Sequence, residues 1–130
     1  MSWRHLDGPE MAVQVTNGAV ALDAGTVVKA SSDTVVAIGD GELVAGVLHN
    51  NAVANETGVV MDLLVPGSVW EVTVDTLTAN REVKVAMAGT DTVDAGTQGD
   101  PAVGKIVNAA VGASDTTAQI FILGGTPEID

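Results

Sequence analysis

From Ala12 onward, short runs rich in Val, Thr and Ile are broken by turn residues every ~8–12 positions, and no long segment carries a helical period. That punctuation restricts the chain to an all-β fold, a small antiparallel β-sandwich or β-barrel with short loops. Strands are expected at Ala12–Val15, Val27–Ala30, Thr34–Ile38, Leu43–Leu48, Gly58–Val65, Ser68–Val74, Glu82–Ala86, Val103–Val107 and Ala118–Leu123. Asn17-Gly18, Gly39-Asp40-Gly41, Pro66-Gly67 and Gly124-Gly125 are among the turns between them, because Gly supplies positive φ and Pro presets its own.

The alternation is clearest in Ser68–Val74, where Trp70, Val72 and Val74 share one face while Glu71 and Thr73 take the other. Trp70 is either the centre of the core or an interface anchor. The Ala-rich segments Asn50–Glu56 and Asn108–Asp115 read equally as a helical turn or an irregular crossing. Residues 46–53 can be laid over 104–111 without a gap, matching Gly46 with Gly104, Asn50 with Asn108, Ala52 with Ala110 and Val53 with Val111. Each copy leads through an acid-containing turn to a strand and then a glycine, Gly67 or Gly125, so two related β-loop-β units packed in one domain are expected.

A chain of 130 residues fits one domain, here residues 12–125, with an extended N-terminal arm (1–11) before it and a short acidic tail (126–130) that frays. The arm carries Trp3, Arg4 and His5 beside Asp7, Pro9 and Glu10, which is too polar and too proline-marked for a core strand. Trp3 either packs back on its own domain or inserts into a neighbouring subunit. Deleting residues 1–10 is expected to leave the fold intact, because the β pattern starts only at Ala12. Aromatics make up 2% of the residues although 46% are hydrophobic, so the core is built from side chains that each bury little area. A symmetric oligomer or a host surface would supplement so thin a core.

Seventeen acids face five scattered bases, Arg4, Lys29, Arg81, Lys84 and Lys105, for a net charge of −12. A nucleic-acid binder needs a basic stripe to displace counterions from phosphates, and this chain presents the opposite field, so nucleic acid and anionic membranes are poor partners. The acids either serve solubility alone or adapt the protein to a high-salt cytoplasm, since scarce Lys with abundant Asp, Ala, Val, Thr and Gly resembles proteins of halophilic archaea, in which brine screens dense carboxylates. With no cysteine, disulfides, thiolate metal sites and cysteine nucleophiles are excluded. The first ten residues hold no apolar core of a signal peptide and no run reaches the ~18 apolar residues of a membrane span, so the protein is expected to be made and kept in the cytosol until assembly.

Nothing in the sequence carries a catalytic spacing: there is no Gly-x-Ser-x-Gly elbow, His-Glu-x-x-His, P-loop or EF-hand loop. No enzyme activity, cofactor or metal is expected. His49 reads as a loop histidine bonded to backbone, and Asp40, Glu42, Asp91, Asp94 and Asp100 as solvated turn residues without ligand spacing. Val85–Gly89 is similar to the hairpin of biotin- and lipoate-carrying domains, but Met87 stands where those domains modify a lysine. Asn55-Glu56-Thr57 matches a glycosylation sequon by pattern.

Several pieces occur in a telling order: Leu43–Leu48, Glu56–Val60, Pro66–Val72, Val103–Val107 and Asp115–Leu123. In that order the chain resembles the capsid decoration, or cement, proteins of tailed phages and tailed haloarchaeal viruses. The resemblance implies an all-β protein, commonly a homotrimer, on the outer capsid surface near three-fold or quasi-three-fold positions, bridging neighbouring major capsid subunits. It brings no catalytic residue. Trp3, Arg4, His5 and Trp70 are the candidate residues for contact with the capsid or a neighbouring subunit. The rival reading is a cell-surface or adhesive carbohydrate-binding β module.

Overall fold

The computed structural model describes residues 3–130, and thirteen strands and no helix are assigned among them. They are β1 (Arg4–Asp7), β2 (Ala12–Val15), β3 (Val27–Ser31), β4 (Thr34–Ala37), β5 (Gly46–Leu48), β6 (Val59–Asp62), β7 (Val69–Val74), β8 (Ala79–Asn80), β9 (Lys84–Met87), β10 (Thr92–Asp94), β11 (Gly104–Ile106), β12 (Ala110–Val111) and β13 (Thr117–Ile122). All nine strands expected from the sequence are present. The four additional strands are β1, β8, β10 and β12.

The chain folds as an all-β domain containing a closed five-strand barrel. In the larger sheet, β7, β10, β9, β11 and β13 form a ring, because β13 pairs back onto β7, and β1 is added beside β10 on the other edge of β7. The two other sheets are antiparallel, one with the order β2-β6-β5-β3-β4 and one made of β8 and β12 alone.

The five-strand sheet repeats the ring. Val13 opposite Met61 corresponds to Trp70 opposite Ile120, and Ala30 opposite Val35 to Met87 opposite Val93. Even the parallel closure recurs: Asn17 bridges Val35 where Val74 bridges Val93. At the corner before β3, the Gly25 N–H donates to the Leu48 carbonyl at 2.7 Å, and at the matching corner before β9 the Glu82 N–H donates to the Ile106 carbonyl at 2.9 Å. Both corner residues are left-handed, with φ of 87° and 73°. The repeat seen in eight residues of sequence therefore runs through nearly the whole chain. One residue of slippage enters at the crossing, since Ala52 bridges Leu22 whereas Val111 pairs with Ala79, so Ala52 answers to Val111 instead of Ala110. The two Ala-rich segments are irregular crossings, each closed by an acid: the Val53 N–H donates to Glu56 Oε1, and the Gly112 N–H to Asp115 Oδ2.

Each ring has an apolar interior. Val28, Val35, Leu48, Ala52, Val59 and Met61 fill the first, while Trp70, Val72, Val85, Val93, Ile106 and Ile120 lie within the second. The second cluster continues through Val27, Ile38 and Val47 of the first ring, so that it links the two rings, and it takes in Trp3.

Both ends of the chain depart from expectation. The N-terminal segment is not held apart as an arm: β1 is an antiparallel strand on β7, and of the two fates open to Trp3 it takes the first, packing on its own domain. A polar strand is tolerated there because it lies at a sheet edge, where Arg4, Leu6 and Asp7 face solvent. The tail, expected to fray, is hydrogen-bonded to the domain. Gly99 N–H donates to the Ile129 carbonyl, Ile129 N–H to Asp100 and Ala102 N–H to Pro127, each at 2.9–3.0 Å.

Candidate functional site

A hollow of about 320 Å³ opens at the seam of the two rings, lined on one side by Trp3, Arg4, His5 and Trp70 and on the other by residues that include Val47, His49 and Asp62. The four residues singled out in the sequence are thus brought to one place, by the pairing of β1 with β7. Trp3 is only 4% exposed, and its indole N–H donates to the Asp91 carbonyl at 2.8 Å. Trp70 is 3% exposed and donates to Ser68 Oγ at 3.1 Å, so of its two readings it takes the core one. Arg4 lies in solvent 3.4 Å from Glu71. His5 stands edge-on to Trp70, with ring centroids 5.7 Å apart, and its Nδ1 is 2.8 Å from Glu10.

His49 is exposed and its Nδ1 lies 3.1 Å from Asp62 Oδ2, a side-chain partner in place of the backbone one expected. The described residues lining this hollow offer imidazoles and a carboxylate but no hydroxyl, thiol or amine to act as a nucleophile. Among the described residues, no group of three His, Asp or Glu side chains converges as metal ligands would. Three of the acids considered in the sequence close turns: Glu42 Oε1 accepts the Gly39 N–H at 2.8 Å, Asp94 Oδ1 the Gly96 N–H at 2.7 Å and Asp100 Oδ2 the Thr97 N–H at 3.0 Å. Met87 is fully buried in β9 and is no hairpin tip, whereas Asn55 is exposed with a left-handed φ of 63°.

A second groove, about 470 Å³, runs along the same seam and is walled by Leu43, Val44, Leu64, Pro66, Leu123 and Pro127, with Glu42 and Glu128 also lining it. Leu43 is 69% exposed beside this groove. Sequence reading missed it by placing Leu43 inside a strand. The signal was weak, because the groove's prolines come from turns distant in sequence and follow no period.

Four of the five bases hold single carboxylates: Arg4 with Glu71, Lys29 with Glu42, Lys84 with Asp130 and Lys105 with Glu82. The hydrogen bond from Lys29 keeps the Glu42 carboxyl below its ordinary pKa, helped by the Gly39 N–H, and Lys105 does the same for Glu82. Among the described residues, most of the acids have no basic partner. Exposed pairs of this kind are screened by water and add little stability each. Like charges ~10 Å apart in water cost about 0.4 kcal/mol per pair, summed over the many pairs that a −12 chain creates, so repulsion outweighs the bridges. The thermal unfolding midpoint at neutral pH is therefore expected to rise by several degrees between ~0.01 M and ~1 M salt, as the screening length falls from ~30 to ~3 Å. A flat or falling midpoint in differential scanning calorimetry would contradict this.

No protein-family model matches the chain, and a search of curated proteins finds no match to it.

Proposed function

We propose that this chain is a structural virion protein that binds the outer surface of a capsid, as a homotrimer, and stabilises it by bridging neighbouring major capsid subunits. The observation that carries the reading is the seam groove: an apolar trough with an exposed leucine at its edge, on a domain whose charge disfavours nucleic acid, suits a protein partner. The order of sequence pieces between Leu43 and Leu123 that resembles decoration proteins supports the same reading. A carbohydrate-binding module would stack sugars on exposed aromatic rings. Both tryptophans here are buried, and Phe121 has the Lys105 ammonium 5.6 Å from its ring centroid.

Co-sedimentation with capsids stripped of this protein tests the proposal. Leu43→Asp, on an exposed side chain, should leave the unfolding midpoint nearly unchanged yet weaken attachment by roughly 30-fold, the equivalent of about 2 kcal/mol of lost apolar burial. Equal occupancy of variant and wild type across a titration would remove the groove from the interface.

A further inference from the structure

The two rings are equivalent strand for strand, but one edge is filled in the second and open in the first. On β7, the outward-facing positions Val69 and Glu71 pair with Asp7 and Arg4 of β1. Trp3, just before that strand, enters the core beside Asp91. The counterpart of β7 is β2, with Ala12 in place of Val69 and Gln14 in place of Glu71.

The Leu63 N–H donates to the Met11 carbonyl, so in an antiparallel ladder Met11, Val13 and Val15 turn their backbone groups toward β6. The backbone groups of Ala12 and Gln14 then point the other way. At Thr16 that direction is used, since its carbonyl accepts the Val35 N–H as the ring closes. Ala12 and Gln14 are exposed, and no strand among the described residues pairs on that side of them.

A hollow of about 390 Å³ adjoins this edge, lined by residues that include Gln14, Val15, Ala30, Asp33, Val35 and Met61. It corresponds to the place beside Asp91 where Trp3 sits, because Asp33 precedes β4 as Asp91 precedes β10. Ala30 takes the position that the larger Met87 fills in the second ring. Asp33 is the charged residue of the lining, on a chain of net charge −12.

We propose that the open edge of the first ring accepts a strand from a protein partner, which pairs antiparallel with residues 12–14 and seats an aromatic side chain, adjacent to a base, in the hollow beside Asp33. Backbone pairing supplies affinity in such additions and the seated side chain supplies specificity. The pattern of the guest is the one the chain itself uses in the second ring, Trp3 followed by Arg4. The inference does not depend on the partner being a capsid subunit.

The probe is a synthetic peptide with the sequence of residues 2–8, added to the intact protein, whose own β1 already fills the second ring. At about 1 mM peptide, NMR shifts are expected at Ala12–Gln14 and Asp33–Val35, with one peptide bound per chain. Replacing the peptide's tryptophan by alanine should weaken binding at least ~10-fold. Gln14→Pro removes an outward N–H at an edge position where proline is tolerated, and should cost a similar factor with the fold retained. Should that variant unfold, Asp33→Lys leaves the backbone intact and should weaken the peptide several-fold, more at low salt. The proposal is overturned if no shifts appear, if they fall at Val69–Glu71 because the peptide displaces β1, or if binding survives both substitutions unchanged.

Discussion

Replacing Trp3 with alanine is expected to lower the unfolding free energy by about 3–5 kcal/mol, the usual cost of removing a buried Trp side chain. The indole is almost fully buried, joins the core cluster that links the rings, and donates the hydrogen bond that satisfies the Asp91 carbonyl. Against a total stability of about 5–15 kcal/mol, the loss is enough to bring a thin aliphatic core close to its limit. Deleting residues 1–10 should do at least as much harm, since it also uncovers the β7 edge at Val69 and Glu71. This reverses the expectation from sequence that the segment can be removed without consequence to the fold. Urea unfolding followed by circular dichroism reads the effect; a midpoint for Trp3→Ala matching that of the intact protein would mean that Trp3 contributes nothing to the core.

Gly104→Val is expected to cost about 3 kcal/mol or more. A Cβ at Gly104 would lie 2.5 Å from the carbonyl oxygen of Phe121 on the neighbouring strand, and a backbone atom cannot swing aside as a side chain can. The first ring has the same requirement, because a Cβ at Gly46 would lie 2.5 Å from the carbonyl oxygen of Asp62. Gly46→Val should therefore be damaging in the same way. Gly125→Ala is the control: its φ is 74° but nothing lies within 4 Å of the added carbon, so only about 1 kcal/mol of backbone strain is expected. Equal stability of the Gly104 and Gly125 variants in urea would contradict the close approach of β11 and β13.

The strands with strong apolar runs were legible because alternation and turn chemistry agree, as in Val69–Val74, where Trp70, Val72 and Val74 are all buried. Two kinds of element were not. β8 and β12 are two residues each and β10 only three, too short to show a period of two. β1 is polar because it is an edge, so its membership rests on backbone pairing and on one aromatic just before it. The duplication was visible over eight residues only, since what recurs is hydrogen-bond geometry. Gly25 and Glu82 share a corner and a left-handed backbone while sharing no side-chain chemistry. The four candidate site residues were singled out on composition, and their meeting at one seam followed from the unforeseen β1–β7 register. Leu43 and the proline-walled groove depend on contacts between distant turns, to which local pattern is blind.

The central claim, that the chain is a bridging protein of a virus capsid, is tested most directly by a cryo-electron microscopy map of purified particles from the infected host. The account predicts protruding density outside the shell, at three-fold or quasi-three-fold positions, into which three copies of the two-ring domain fit while touching adjacent capsid subunits. Particles whose outer surface lacks such density, with the chain recovered only from the soluble fraction of the lysate, would contradict it.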